Sequence, residues 1–362
     1  MANSFIGKRC NSSLQIKLCN QNRSDMKRKY SGHLPPKQRN FSAPNFGLGA
    51  RQLDKALINA SLENLGGVKN NTHKARLAAC RDFAKFIKEE TNVKRLNLLT
   101  KNHIIQYAED LRERFELGDN ISSRTARDYL SHINVCLRQA RGDNKITVLA
   151  TKEMDFPPKN GIETIDRSTS EALHSQIVNQ ASKPVAIVAQ LQRNLGLRFR
   201  EAALLDSQKA LKEYQRAGGI TIEKGTKGGQ PRHIPIKYPD QIAALEEGAM
   251  LQMQTGHINA TPSDTSLKAF QSHAWREVTA INSDYHSHGE RKFFACRYYA
   301  QAVGVESPVV SQIPHGKPHT SFIAQQLDIS FEEAKLLDNE VRYQLSELLG
   351  HHRPGICAAY IG

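Results

Sequence analysis

Seven side chains in the second half of the chain are of types that together could act on a phosphodiester. Arg198 and Glu201 lie three positions apart in "NLGLRFREAALL", and Lys227 follows in "GTKGGQPRHIPI". His288 and Arg291 form a His-x-x-Arg pair in "HSHGERKFFA", and His351 precedes Tyr360 by nine positions in "LGHHRPGICAAYIG". A guanidinium is a rigid fork of N–H donors that suits the non-bridging oxygens of a phosphodiester. A lysine can protonate a departing alkoxide, and a histidine can accept a proton or donate to a phosphoryl oxygen. A tyrosine oxygen can attack phosphorus and hold the product as a phosphotyrosine. Cationic side chains then stabilise the charge, so neither a metal nor any other cofactor is expected. Each element alone is weak: His-x-x-Arg is common, and Tyr360 could be an aromatic anchor for the last segment.

Something has to hold these groups in place. Ile220 and Ile222, then Ile234 and Ile236, alternate about a glycine-rich turn, which predicts a β-hairpin with Lys227 in or beside the turn. Pro184 opens a helix that Gly196 closes, with Ser168 or Thr169 capping the helix before it. Phe293, Phe294, Tyr298 and Tyr299 read as core of a helix that begins near Arg291, and beyond residue 240 the pattern is mostly helical. "VESPVVSQIPHGKPHTS" is expected to be an inserted loop ahead of a helix in "SFEEAKLLDNEVRYQLSELLG".

Upstream, residues 51–150 carry helical patterns for a four-helix bundle, including one capped by Thr72 and a Ser-capped one in "SSRTARDYLSHINVCLRQARG". On that last helix Arg124, Arg127, Arg138 and Arg141 edge the surface opposite its apolar stripe, either as a DNA-facing edge or as a solvated basic face. Residues 151–167, with Pro157, Pro158 and Gly161, read as a linker, and 168–362 as a second domain.

The net charge is +14, which points to an anionic partner. Residues 1–50 hold nine Lys and Arg against Asp25 alone and read as a basic, disordered arm. No apolar run reaches the length of a membrane span, and there is no apolar signal segment, so a non-exported protein with no membrane partner is expected. Cys10, Cys19, Cys80, Cys136, Cys296 and Cys357 are scattered without metal-ligand spacing and read as free thiols.

In their order, "GLRFRE", "TKGGQPRHIPI", "HGERKFFA" and "LGHHRPGICAAY" resemble the tyrosine recombinase (phage integrase) family. The likeness covers about 165–362 well and 51–150 less specifically. It implies a mainly α fold with a small β-sheet: a helical core-DNA-binding domain joined to an α+β catalytic domain. It also implies Tyr360 as the nucleophile that forms a 3′-phosphotyrosyl bond. Arg198, Arg291 and His351 would then hold the phosphate, Lys227 act as general acid, His288 help deprotonate Tyr360, and Glu201 support Arg198. Lys292 stands where many members have a histidine. The implied partners are double-stranded DNA, a homotetramer on paired sites and an accessory directionality or DNA-bending protein, in the bacterial cytoplasm at the nucleoid. The rival readings are a type IB-like topoisomerase and a non-catalytic DNA-binding protein with a recombinase fold.

Overall fold

The computed structural model describes residues 39–362 except 119–120 and 159–160. The expected basic arm therefore lies outside the described residues as far as position 38. The described chain divides into two compact units at the 159–160 boundary.

The first unit holds α1 (Leu53–Asn64), α2 (Asn71–Glu90), α3 (Lys101–Glu116), α4 (Ser123–Arg141) and the short α5 (Ala150–Glu153). Local chemistry sets the limits of α4: the Ser122 hydroxyl accepts from the Thr125 N–H at 3.1 Å, and Gly142 ends the helix at φ 76°. Between them Ala126, Leu130, Ile133, Leu137 and Ala140 recur every three or four residues, and all are buried. The α2 helix starts earlier than expected. Asn70 caps it by accepting from the His73 N–H, leaving Thr72 inside the helix.

Two expected boundaries also move. Residues 39–50 are fastened to the bundle: Arg39 pairs with Glu63 at 3.1 Å and donates to the carbonyls of Phe46, Gln139 and Ala140. Buried Asn45 donates to Ala50 O at 2.8 Å and accepts from the Leu96 N–H at 2.7 Å. Polar side chains that suggested disorder here tie down backbone instead. Likewise Met154 and Phe156, placed in the linker by their Pro neighbours, are buried in the first unit's core. Phe156 meets Phe115 edge-on with centroids 5.3 Å apart.

The expected arginine edge of α4 is uneven. Arg124 is exposed and Arg138 half-buried. Arg127 donates to Pro157 O at 2.6 Å, while Arg141 pairs with Asp143 at 3.1 Å.

The second unit begins with α6 (Glu171–Gln180), α7 (Lys183–Leu195), α8 (Phe199–Ala203) and α9 (Ser207–Ala217). Strands β1 (Gly219–Ile222) and β2 (Arg232–Pro235) form an antiparallel hairpin that pairs Ile220 with Ile234. Next come α10 (Pro239–Thr255), α11 (Leu267–Ile281) and α12 (Ser287–Val303), then α13 (Pro308–Ser311), α14 (Lys317–Leu327), α15 (Phe331–Leu348) and α16 (Ala358–Ile361). Ser170, rather than Ser168 or Thr169, caps α6, and Thr169 is buried. The expected inserted loop carries α13 and the start of α14, with Pro308 and Pro318 at first-turn positions that a helix tolerates.

One core gathers α7, the hairpin, α10 and α11; another gathers α12, α15 and α16. Helix α12 packs against both α7 and α15, so its side chains lie where the two cores meet. Among the described residues no helix is long and apolar enough to cross a membrane.

Candidate active site

Arg198 stands at the junction between α7 and α8. Gly196 ends α7 at φ 63°, and a Cβ there would lie 2.4 Å from Phe294 Cδ1, so only glycine fits without displacement. The turn leaves Arg198 at the N-cap of α8, where Glu201 accepts from its backbone N–H and from Nη1, both at 2.8 Å. Glu201 is fully buried and Arg198 about one-fifth exposed.

Glu201 has a second partner that the motif pattern did not single out. Arg232 on β2 donates Nη1 to Glu201 Oε1 at 2.8 Å and Nη2 to Oε2 at 2.7 Å. Its Nε donates to Leu348 O at 2.7 Å, and it is buried. Burial alone would raise the Glu201 carboxyl, but Arg232, the Arg198 N–H and Arg291 bring it down to about 2. A signal for Arg232 was present in the sequence: it falls in phase with Ile234 on the strand's inward face, where a charge needs a counter-ion.

Lys227 lies between the strands at the tip of the hairpin, exposed to solvent. The loop that carries it is seated on the arginine turn: a Cβ on Gly225, at φ 78°, would lie 2.7 Å from Arg200 O. The positive charge of Lys227 is felt at His351.

Helix α12 supplies Arg291, whose side chain is entirely buried. It donates Nη1 to Gly196 O and Nη2 to Leu349 O at 2.6 Å, and stands 3.9 Å from Glu201. Its Nε has no partner, and burial draws the guanidinium down to about 10, still protonated at neutral pH. Nη2 is also 3.4 Å from His351 Nε2. A guanidinium can only donate, so Nε2 is an acceptor and the ring carries its proton on Nδ1. The Tyr360 hydroxyl, 2.9 Å from the same Nε2, therefore donates to it. Burial, then the charges of Arg291, Arg198, Lys227 and Arg232, lower His351 to about 4, so it is neutral at pH 7 with Nε2 open to accept a hydrogen bond.

Tyr360 is buried on α16, its ring 5.5 Å from the Arg291 guanidinium carbon. Three contacts seat its helix: the Glu163 N–H donates to Ala358 O at 2.7 Å, Arg342 donates to Gly362 O at 2.8 Å, and Cys357 Sγ donates to Arg342 O. Lys292 faces the same segment, paired with Glu163. His288 is exposed, with its ring centroid 5.4 Å from that of Tyr360.

Arg198, Glu201, Arg291, His351 and Tyr360 thus form one connected set, with His288 beside the tyrosine and Lys227 on an adjoining loop. The side chain against the hydroxyl is His351, although His288 was the expected proton acceptor. Among the described residues no three His, Cys, Asp or Glu side chains converge as a metal-binding group.

Residues 162–301 match the family model described as Integrase, and no curated protein matches the chain. A variant of the Tn1549 transposon integrase in complex with a circular-intermediate DNA superposes with a TM-score of 0.53 at 11% identity, covering 86% of this chain and 95% of that one. The Tn1549 integrase with another circular-intermediate DNA gives 0.51 at 12% identity, over 86% and 96%. A lambda integrase tetramer bound to a Holliday junction gives 0.48 at 15% identity, over 92% and 88%. At these identities the likeness to the Tn1549 integrase is one of fold.

Proposed function

Since the chain belongs to the integrase family of tyrosine recombinases through residues 162–301, we propose that it is a site-specific DNA recombinase, the integrase of a mobile element. The observation that carries this reading is the Tyr360 hydroxyl held 2.9 Å from a neutral His351 beside two arginines. Tyr360 Oη attacks a DNA phosphorus while its proton passes to His351 Nε2. The P–O5′ bond breaks as the phosphotyrosyl bond forms, and Lys227 protonates the leaving 5′ oxygen. Arg198 and Arg291 hold the non-bridging oxygens, with His288 assisting from the exposed side.

Arg291 is fully buried beneath Tyr360, so a phosphate reaches it only after the tyrosine ring shifts. Strand exchange reverses the chemistry with a partner's 5′-hydroxyl, and the phosphotyrosine conserves the bond energy.

The first unit is the core-DNA-binding domain, with Arg124 and Arg138 on α4 as its phosphate contacts. Arg127 and Arg141, engaged with the protein itself, support that helix. The working assembly is a homotetramer on two DNA sites, aided by a directionality or DNA-bending protein, acting on nucleoid DNA in a bacterial cytoplasm.

The test is incubation of the full chain with nicked duplex taken from the DNA flanking its coding sequence. A covalent protein–DNA product is expected from the native chain, and none from Tyr360→Phe, which should still bind the duplex. Trapping by the Phe variant would exclude Tyr360 as nucleophile. Relaxation of supercoiled DNA by a single copy, without paired sites, would favour a topoisomerase.

A further inference from the structure

We propose that Arg232 is a positioning residue for the strand-cleavage reaction, keeping Glu201 from drawing Arg198 and Arg291 away from the phosphate. This rests on the recombinase reading above. Three observations carry it. First, the donors of Arg232 point inward: Nη1 and Nη2 go to the two Glu201 oxygens and Nε to Leu348 O. With its side chain 3% exposed, it is out of a substrate's reach.

Second, those contacts join separate parts of the site. Glu201 orients Arg198, while Leu348 leads into the Leu349–Gly350–His351 turn. Leu349 O in turn accepts from Arg291 and, at 3.4 Å, from Arg198. That turn is built around Arg232: Gly350 is at φ 65°, and a Cβ there would lie 3.0 Å from Arg232 Cδ. Because Arg232 sits on β2, it also ties the strand following the Lys227 loop to both phosphate-holding arginines.

Third, Glu201 has no neutral substitute for this partner. It is fully buried, and the other cations near it are Arg198 at 2.8 Å and Arg291 at 3.9 Å. A buried carboxylate that loses one counter-ion recruits another or takes up a proton. Without Arg232, Glu201 competes directly with the DNA phosphate for the catalytic guanidinium groups. The unusual consequence is that removing the carboxylate's charge should partly undo the loss of the arginine.

The experiment measures single-turnover cleavage of the same nicked flanking duplex by the full chain, alongside duplex affinity and melting temperature. Arg232→Met should slow cleavage about a hundredfold, the scale for losing one charge-stabilising group, with affinity changed less than about threefold. Adding Glu201→Gln to Arg232→Met should recover about tenfold of that loss, since an amide cannot compete as an anion. Arg232→Lys, which keeps one charged donor, should fall between native and Met.

A double variant no faster than Arg232→Met at equal melting temperature would overturn the proposal and leave a packing role. So would cleavage by Arg232→Met at the native rate. Should Arg232→Met fail to fold, Arg232→Lys with and without Glu201→Gln poses the same question, and absence of recovery there also counts against it. Failure of the recombinase reading is separate: the native chain itself would then form no covalent product.

Discussion

Gly196→Ala is the most quantitative test of how the arginine turn is built, because Gly218 offers a matched control. Both glycines end helices in the left-handed region, at φ 63° and 70°. A Cβ on Gly218 has nothing within 4 Å, whereas one on Gly196 would lie 2.4 and 2.7 Å from Phe294 Cδ1 and Cε1. The conformational cost is common to both, about 1–2 kcal/mol for a non-glycine residue in this region. Overlap with a packed aromatic ring adds about 1–3 kcal/mol at Gly196 alone. Gly196→Ala should therefore lose roughly 2–5 kcal/mol and Gly218→Ala only about 1–2 kcal/mol. Urea unfolding followed by circular dichroism gives both values from the shift in midpoint at constant slope. Function should divide in the same way. Gly196 O accepts from Arg291, so moving it displaces that guanidinium and slows DNA cleavage, whereas Gly218→Ala should cleave normally. Equal destabilisation by the two substitutions would refute the steric account. Full cleavage activity in a destabilised Gly196→Ala would refute the link to Arg291.

Two further outcomes follow from the same geometry. Gly225→Ala adds a Cβ 2.7 Å from Arg200 O and should lift the Lys227 loop, lowering the cleavage rate more than duplex affinity; a DNA substrate with a 5′-bridging sulfur, which needs no general acid, should restore much of the rate. The pH dependence of stability should have two limbs. His351 and His288 each fall from 6.5 to about 4 on folding, so holding them neutral costs stability progressively as pH drops from 6.5 towards 4, and His351 supplies only its own share of that limb. Glu201 falls from 4.5 to about 2, so its contribution is fully present above 4.5 and is lost between 4.5 and 2. Melting temperatures of the native chain and His351→Gln across pH 4–7 separate the first limb, and an equally steep decline in the variant would contradict it.

The sequence by itself determined the reactive groups and much of their local framing. Fixed spacings do this: His288 and Arg291 three apart on one helix face, Gly196 as a helix stop before Arg198, the alternating isoleucines of the hairpin, and nine positions from His351 to Tyr360. Such features depend on neighbours within a turn or two, so residue types alone reveal them. Partnerships between distant segments were decided only in the tertiary structure. Arg232 and Glu201 are 31 positions apart, and Arg39 binds carbonyls about a hundred positions away, so no local pattern names these partners and only packing supplies them. The same cause moved the boundaries at residues 39–50 and 150–156, where proline and polar residues signalled breaks while Phe156 and Asn45 were buried. It also decided which histidine meets Tyr360. His288 and His351 are chemically alike, but only His351 follows the turn whose Leu349 carbonyl anchors Arg291, and that anchor brings its Nε2 to the hydroxyl.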